Sequence, residues 1–357
     1  MRIPGPTPLP DAVREATGRQ MMNHRSAEFA TLLAETVAGT QTLLQTTHEV
    51  LLMSCSGTGG MEAAVANLCS PGDEVIAAHA GVFGARFAAI AAAYGLTVHH
   101  VTVPDGQALD PLLIGAAFAA PPRAKTLLVT HNESATGVTH DLKAIAETAH
   151  HHGAIIAADC ITSTAAIDVP LDAWGIDVAV SASQKAWMAP PGMAMVAVGA
   201  RAWQRAKAAT LPRFYFDFAR HRDAQATGQS PSTPALPTLT GLHRAVQMLV
   251  AEGLPAMIAR HHAAADACRA DIGDLAEYGL RLFADPAHAS NTVTAVTLPP
   301  HLDAERLLAR LETEHGVILA GGLGKQAGKI IRIGHLGYVT PADMDAVGAA
   351  LRAVLSS

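Results

Sequence analysis

From about Glu49 onward, short β-rich apolar runs alternate with longer helical stretches, and this alternation limits the possible folds more than any other feature of the 357-residue chain. Candidate strands are Val50–Ser54, Glu74–Ala78, Thr97–Val101, Thr126–Thr130, Ile155–Asp159, Val178–Ser181 and Met195–Val198, with helices such as Met61–Leu68 and Leu142–His152 between them. Near-continuous apolar strands joined by helical crossovers predict an α/β fold built on a mainly parallel seven-stranded sheet. The stretch from Phe214 to Pro237 breaks the rhythm with polar, aromatic and proline residues. It reads as a long loop of functional interest, followed by a helix from about Thr240 to Ala251.

After Gly253 the pattern changes to a helix over Ile258–Asp274, strands near Thr292–Thr297 and Lys329–Ile333, and helices at Ala304–Glu314 and Pro341–Leu355, a smaller α+β domain. The chain exceeds the usual size of one core. The expected division is an N-terminal segment over residues 1–20, a large domain over 21–253 and a small one over 254–357.

A net charge of -6 gives no electrostatic reason to expect nucleic acid or an anionic membrane surface as partner. The N-terminus lacks the apolar core of a signal peptide and no apolar run is long enough to cross a bilayer, so the expected location is cytoplasmic. Cys55, Cys69, Cys160 and Cys268 form no C-x-x-C pair and read as reduced thiols. The clusters His150-His151-His152 and His261-His262 lack metal-ligand spacing and read as solvated helix ends and faces, so no metal is expected.

Three segments could carry chemistry. Ser54-Cys55-Ser56-Gly57-Thr58-Gly59-Gly60 lies between a strand and a helix, where backbone N–H groups can cradle a phosphate; a plain strand-to-helix turn explains it as well. Asp159 ends an almost wholly apolar strand, at the sheet edge where α/β proteins bind ligands; it could equally cap a following helix. Lys185 sits in a small-residue turn after a buried strand, either snorkelling to solvent or covalently employed.

Together these segments resemble the class V branch of pyridoxal-phosphate (PLP) aminotransferases, fold type I, in the group with alanine–glyoxylate and serine–glyoxylate aminotransferases. The resemblance rests on the order of Ser56-Gly57-Thr58, Phe83, Glu133-Ser134, Asp159 and Ser183-Gln184-Lys185, and above all on S-Q-K-x-x-x-A-P-P-G. It runs from Pro4-Gly5-Pro6-Thr7 to Arg332-Ile333-Gly334-His335-Leu336-Gly337.

The resemblance implies that Lys185 carries PLP as a Schiff base and shuttles the proton, while Asp159 pairs with the pyridinium nitrogen. It implies further that Phe83 stacks on the ring, that Ser56, Gly57, Thr58 and Gln184 surround the phosphate, and that Ser134 lies near the phenolic oxygen. Ile161 completes the implied cofactor site. Arg332 would grip the substrate α-carboxylate, a task suited to a planar guanidinium. Thr233 would cross a homodimer interface to the partner's phosphate. The N-terminal Pro-Gly-Pro-Thr-Pro turn would lie over the site, with Asn23-His24-Arg25 and Phe214-Tyr215-Phe216 as further pocket candidates.

Read without the resemblance, Phe83 is an ordinary core residue, Ser134 and Thr233 are loop residues and Arg332 is half of a salt bridge. Departures from the family pattern are Cys55 for glycine, Gly60 for alanine and Cys160 after Asp159. The first could strain the phosphate loop, because only glycine adopts positive φ cheaply.

The implied activity is ping-pong transfer of an amino group from a small amino acid of the alanine, serine or glycine type to a 2-oxo acid such as glyoxylate or pyruvate. Another fold-type-I activity, a lyase, a cysteine desulfurase or an aminophosphonate transaminase, is the alternative. A desulfurase needs a cysteine between Gly321 and Lys329, and none lies there. A non-catalytic binding protein would lack Lys185 or Asp159.

Overall fold

The computed structural model describes residues 1–120 and 124–357. Seven of its strands, β1 (Glu49–Met53), β2 (Glu74–His79), β3 (Thr97–Thr102), β4 (Thr126–Thr130), β7 (Ile155–Asp159), β8 (Val178–Ala182) and β9 (Ala194–Val198), form one sheet in the order β1-β9-β8-β7-β4-β2-β3. The pairs β2–β3, β2–β4, β4–β7 and β7–β8 are parallel, and β9 is antiparallel to both β8 and β1. Strands β4, β7 and β8 are buried along their whole length, as expected of the middle of a sheet covered on both faces. The short strands β5 (Asn132–Glu133) and β6 (Val138–Thr139) form a separate hairpin just past β4.

Around the sheet lie α1 (Asp11–Thr17), α2 (Ala27–Leu43), α3 (Gly57–Leu68), α4 (Val82–Ala93), α5 (Pro111–Ala119), α6 (Leu142–His151), α7 (Leu171–Trp174), α8 (Ala200–Ala208), α9 (Phe218–Ala226) and α10 (Leu236–Glu252). Gly60 lets α3 press on the sheet: a Cβ there would come 2.6 Å from the Val180 side chain. An alanine at this position would need the helix to shift outward.

A second, antiparallel sheet is ordered β10-β11-β13-β12, from Arg281–Leu282, Val293–Thr297, Ile330–Gly334 and Ala320–Gly321 respectively. Helices α11 (Leu254–Asp274), α12 (Ala304–His315) and α13 (Pro341–Leu355) share with it a hydrophobic cluster whose buried members all come from Ala264 onward. The extreme N-terminus joins this sheet: Arg2 N–H donates to Ile318 O (2.8 Å) and Gly334 N–H donates to Arg2 O (2.7 Å). Among the described residues no helix is long and apolar enough to cross a membrane.

Three readings of the sequence need correction. The Phe214–Pro237 stretch is not one loop, because α9 forms inside it behind an Asp217 cap that accepts from Ala219 N–H at 2.8 Å. His261 is not on a solvated face. It is fully buried on α11, with Nδ1 2.8 Å from Met257 O and Nε2 accepting from Gly337 N–H at 3.0 Å, an arrangement that makes it neutral with the proton on Nδ1. Cys55 brings no strain, since it is absent from the positive-φ residues among those described.

Candidate active site

In a parallel sheet the carboxyl ends of the strands lie on one edge, and here that edge gathers the chemistry. Asp159 is the last residue of β7, Thr130 the last of β4, and β8 runs out through Ala182 into the turn that carries Lys185. One cavity at this edge is lined by Ser56, Gly57, Thr58, Phe83, Ser134, Asp159, Ile161, Gln184 and Lys185. Residues separated by up to 129 positions in the chain therefore face a common space. Larger clefts elsewhere hold no comparable set, so chemistry rather than size selects this one.

Asp159 is buried and accepts from Ile161 N–H (3.0 Å) and Thr130 Oγ1 (3.3 Å). Burial pushes its carboxyl up to about 6, against the pull of those donors and of Lys185. A carboxylate has room for more than two donors, and a cationic N–H in the cavity would favour its ionised form. Lys185 Nζ donates to Pro4 O at 2.7 Å. Burial pushes this amine down to about 8; Asp159 pulls it back up, while Arg332 and Arg86 push it further down.

The N-terminal segment holds the backbone of this turn as well, with Thr7 Oγ1 donating to Lys185 O (2.9 Å) and Thr7 N–H to Gln184 O (3.0 Å). Gly5, at φ +133°, lies so close that a Cβ would strike the Lys185 side chain. The positive φ is what favours glycine there, and a Cβ would in addition push the Lys185 side chain aside.

The start of α3 forms the other wall. Ser56 caps the helix by accepting from Gly59 N–H at 3.4 Å, and Gly57 leaves no room for a side chain, since a Cβ would clash with Ile161. Gln184 Oε1 is buried and has no hydrogen-bond partner among the described residues. A helix N-terminus, two hydroxyls and an amide around one space suit an anionic group such as a phosphate. With the Phe83 ring, the Asp159 acceptor and the Lys185 amine on the same cavity, the donor set fits an aromatic, phosphorylated aldehyde cofactor.

Arg332 and Thr233 are not among the residues that line this cavity. Arg332, on β13, is buried behind the loop, donating from Nε to Gly321 O (2.8 Å) and from Nη1 to Ser134 O (3.1 Å), both backbone acceptors rather than a carboxylate. Thr233 is outside the cavity of its own chain, with Oγ1 3.5 Å from His24 Nε2. Of the other pocket candidates, Arg25 is tied to Gln229 and Ser230 O, Phe214 is exposed under the Arg220 guanidinium, and Tyr215 donates to Ser54 O at 3.0 Å.

Sequence reasoning missed Met61, Arg86, Asn132 and Thr162, which also line the cavity. Arg86 sits 4.9 Å over the Phe83 ring and 3.4 Å from Thr58 Oγ1. Its i+3 spacing from Phe83 on α4 was the available signal. Asn132 donates from Nδ2 to Thr162 Oγ1 (2.8 Å) and Thr292 Oγ1 (2.9 Å), fastening the hairpin to both the Asp159 loop and the second sheet.

Known proteins resemble this chain along almost its whole length. The family model described as aminotransferase class-V matches residues 11–347. The chain is 41% identical over its full length, and 92% of the relative's, to a Synechococcus protein named soluble hydrogenase, small subunit. It is 36% identical to the L-aspartate–glyoxylate aminotransferase of Paracoccus denitrificans, over 95% of this chain and 87% of that one. The crystal structure of an alanine–glyoxylate aminotransferase from Nostoc sp. superposes with a TM-score of 0.94 at 28% identity, covering 99% of this chain and 94% of that one. With the family model spanning nearly the whole chain and an aminotransferase 36% identical over 95% of it, this protein belongs to the class-V aminotransferases and is an enzyme of amino-group transfer.

Proposed function

We propose that the chain uses PLP to move an amino group from a small amino acid of the alanine, serine or glycine type to a 2-oxo acid such as glyoxylate or pyruvate. The observation that carries this reading is the placing of the Lys185 amine and the Asp159 carboxylate on one cavity with the α3 N-terminus. The Paracoccus relative is named for aspartate as donor, the Nostoc structure for alanine, and both names share glyoxylate. PLP supplies an electron-accepting ring and an aldehyde when bound.

The residues divide the remaining work. Lys185 holds the cofactor and, when free, moves the proton of the substrate Cα with its Nζ. Asp159 would accept a hydrogen bond from the ring nitrogen and keep it protonated. Phe83 would cover a face of the ring, Ser56, Gly57, Thr58 and Gln184 would hold the phosphate, and Ile161 and Ser134 would complete the lining of the cofactor site. Arg332 binds the α-carboxylate of donor and acceptor alike, as alternate use of one site requires. Thr233, which does not line the cavity of its own chain, would serve the partner's site in a homodimer. Residues 1–20, 21–253 and 254–357 act as strap, large domain and small domain in this reading, which the separate C-terminal cluster supports.

A thiolate mechanism has little support. Burial pushes the thiols of Cys55, Cys69 and Cys268 up to about 12 and that of Cys160 higher still.

The test is a half-reaction. Adding alanine, serine or glycine to the PLP-loaded protein should convert the visible absorbance to that of the amine form of the cofactor, and glyoxylate or pyruvate should restore it. A spectrum unchanged by every donor, with release of sulfide or another fragment, would contradict amino transfer.

The lowered Lys185 pKa gives a second expectation. Only the neutral amine attacks an aldehyde, so capture of PLP by the cofactor-free protein should speed up about tenfold per pH unit below 8 and level off above it. Stopped-flow absorbance measures this directly. A rate still climbing toward pH 10, as for an ordinary lysine, would show that the amine is not held as described.

A further inference from the structure

Glu133 is fully buried, and none of the roles assigned above falls to it. Its Oε2 accepts from the N–H groups of Phe83 (3.0 Å) and Gly84 (3.1 Å), and its Oε1 from Ala135 N–H (3.1 Å). Two separate pieces of chain meet on this carboxylate. One is the first turn of α4, which carries Phe83; the other is the turn after Glu133, which carries Ser134. The Ser134 carbonyl in turn accepts from Arg332 Nη1, and the Glu133 charge acts on Arg332 as well. Gly81 allows the close approach, since a Cβ there would lie 2.6 Å from Glu133 Cδ.

A buried carboxylate with no cationic group in hydrogen-bond contact among the described residues is costly, and its three backbone N–H donors, two of them at a helix start, offset that cost. Burial still pushes its carboxyl up to about 7, so the position is retained at some expense. A glutamine of the same shape could satisfy only one side. Its amide NH₂ would turn a donor toward the N–H groups on the other.

We propose that Glu133 is a positioning residue for amino transfer: it clamps the helix turn bearing Phe83 to the loop that holds Arg332, fixing the spacing between the ring-covering side chain and the carboxylate-binding guanidinium. The proposal rests on the function proposed above. Loosening the clamp would loosen cofactor ring and substrate together and leave the attachment at Lys185 intact.

In the Glu133→Gln holoenzyme, KM for the amino donor and the dissociation constant of PLP should each rise about tenfold, the size of one lost hydrogen bond to a charged group. The same variant should keep kcat within about threefold, the split expected when binding rather than chemistry is disturbed. The visible circular dichroism of the cofactor should weaken, while borohydride still fixes PLP to Lys185. Wild-type KM, dissociation constant and dichroism in a folded Glu133→Gln protein would overturn the proposal.

Should that variant not fold, Gly81→Ala presses a methyl group on the carboxylate and keeps its charge. The same changes in smaller measure support the clamp, and unchanged values overturn it. Failure of the underlying function is seen separately: no label at Lys185 in the unsubstituted chain removes the function and the clamp with it.

Discussion

The Lys185→Ala protein is expected to lose the visible absorbance of covalently held PLP and to turn over about 10⁴-fold more slowly, because one substitution removes both the anchor and the proton carrier. The fold should survive the change. Thr7 holds the turn through backbone oxygens of residues 184 and 185, and Ser183 Oγ donates to Pro190 O at 2.6 Å, so the turn does not depend on the lysine side chain. Small added amines should restore a part of the activity by taking over the proton transfer. A variant with undiminished turnover would remove Lys185 from the chemistry.

Asp159→Asn should lower kcat by roughly 10²–10⁴-fold with little change in KM, the signature of an interaction felt mainly during the chemical step. Asparagine fills the same space and can still accept from Ile161 N–H, but it cannot hold a ring nitrogen protonated. Stability should move the other way. Burial raises the Asp159 pKa from its ordinary value to about 6, so the folded chain binds more protons than the unfolded one between about pH 4 and 6, and stability falls as pH rises through that window. Removing the charge removes this penalty. Cofactor-free Asp159→Asn should therefore melt at or above the wild-type temperature at pH 7, and a lower melting temperature would argue that the carboxylate is a structural support.

The central sheet was legible in the sequence because its strands are short, apolar and separated by periodic helices; all seven proposed strands form, within a residue or two of the expected ends. Lys185, Asp159 and the Ser56–Thr58 turn were legible only as a set. Each alone had an ordinary explanation, and their meeting on one cavity depends on parallel strands ending at one edge.

What escaped was interaction between distant segments. Helix α9 carries few apolar residues and so shows little periodicity, yet Gln225 on it donates to Val50 O (2.9 Å) and accepts from Leu52 N–H (2.8 Å), covering the open edge of β1. His261 looked like part of a polar tract because its burial comes from packing against the Gly337 loop, 76 residues away. Glu133 is a single charged residue held by N–H groups of α4 as well as of its own turn, and no local spacing announces it; Arg86 is marked in the sequence only by its i+3 spacing from Phe83.

The most direct test of the central assignment is to reduce the PLP-loaded protein with borohydride, digest it and locate the cofactor by mass spectrometry. The expected result is one modified peptide with the label on Lys185, abolished by Lys185→Ala. A label on another lysine, or none after reduction of a visibly loaded protein, would contradict it.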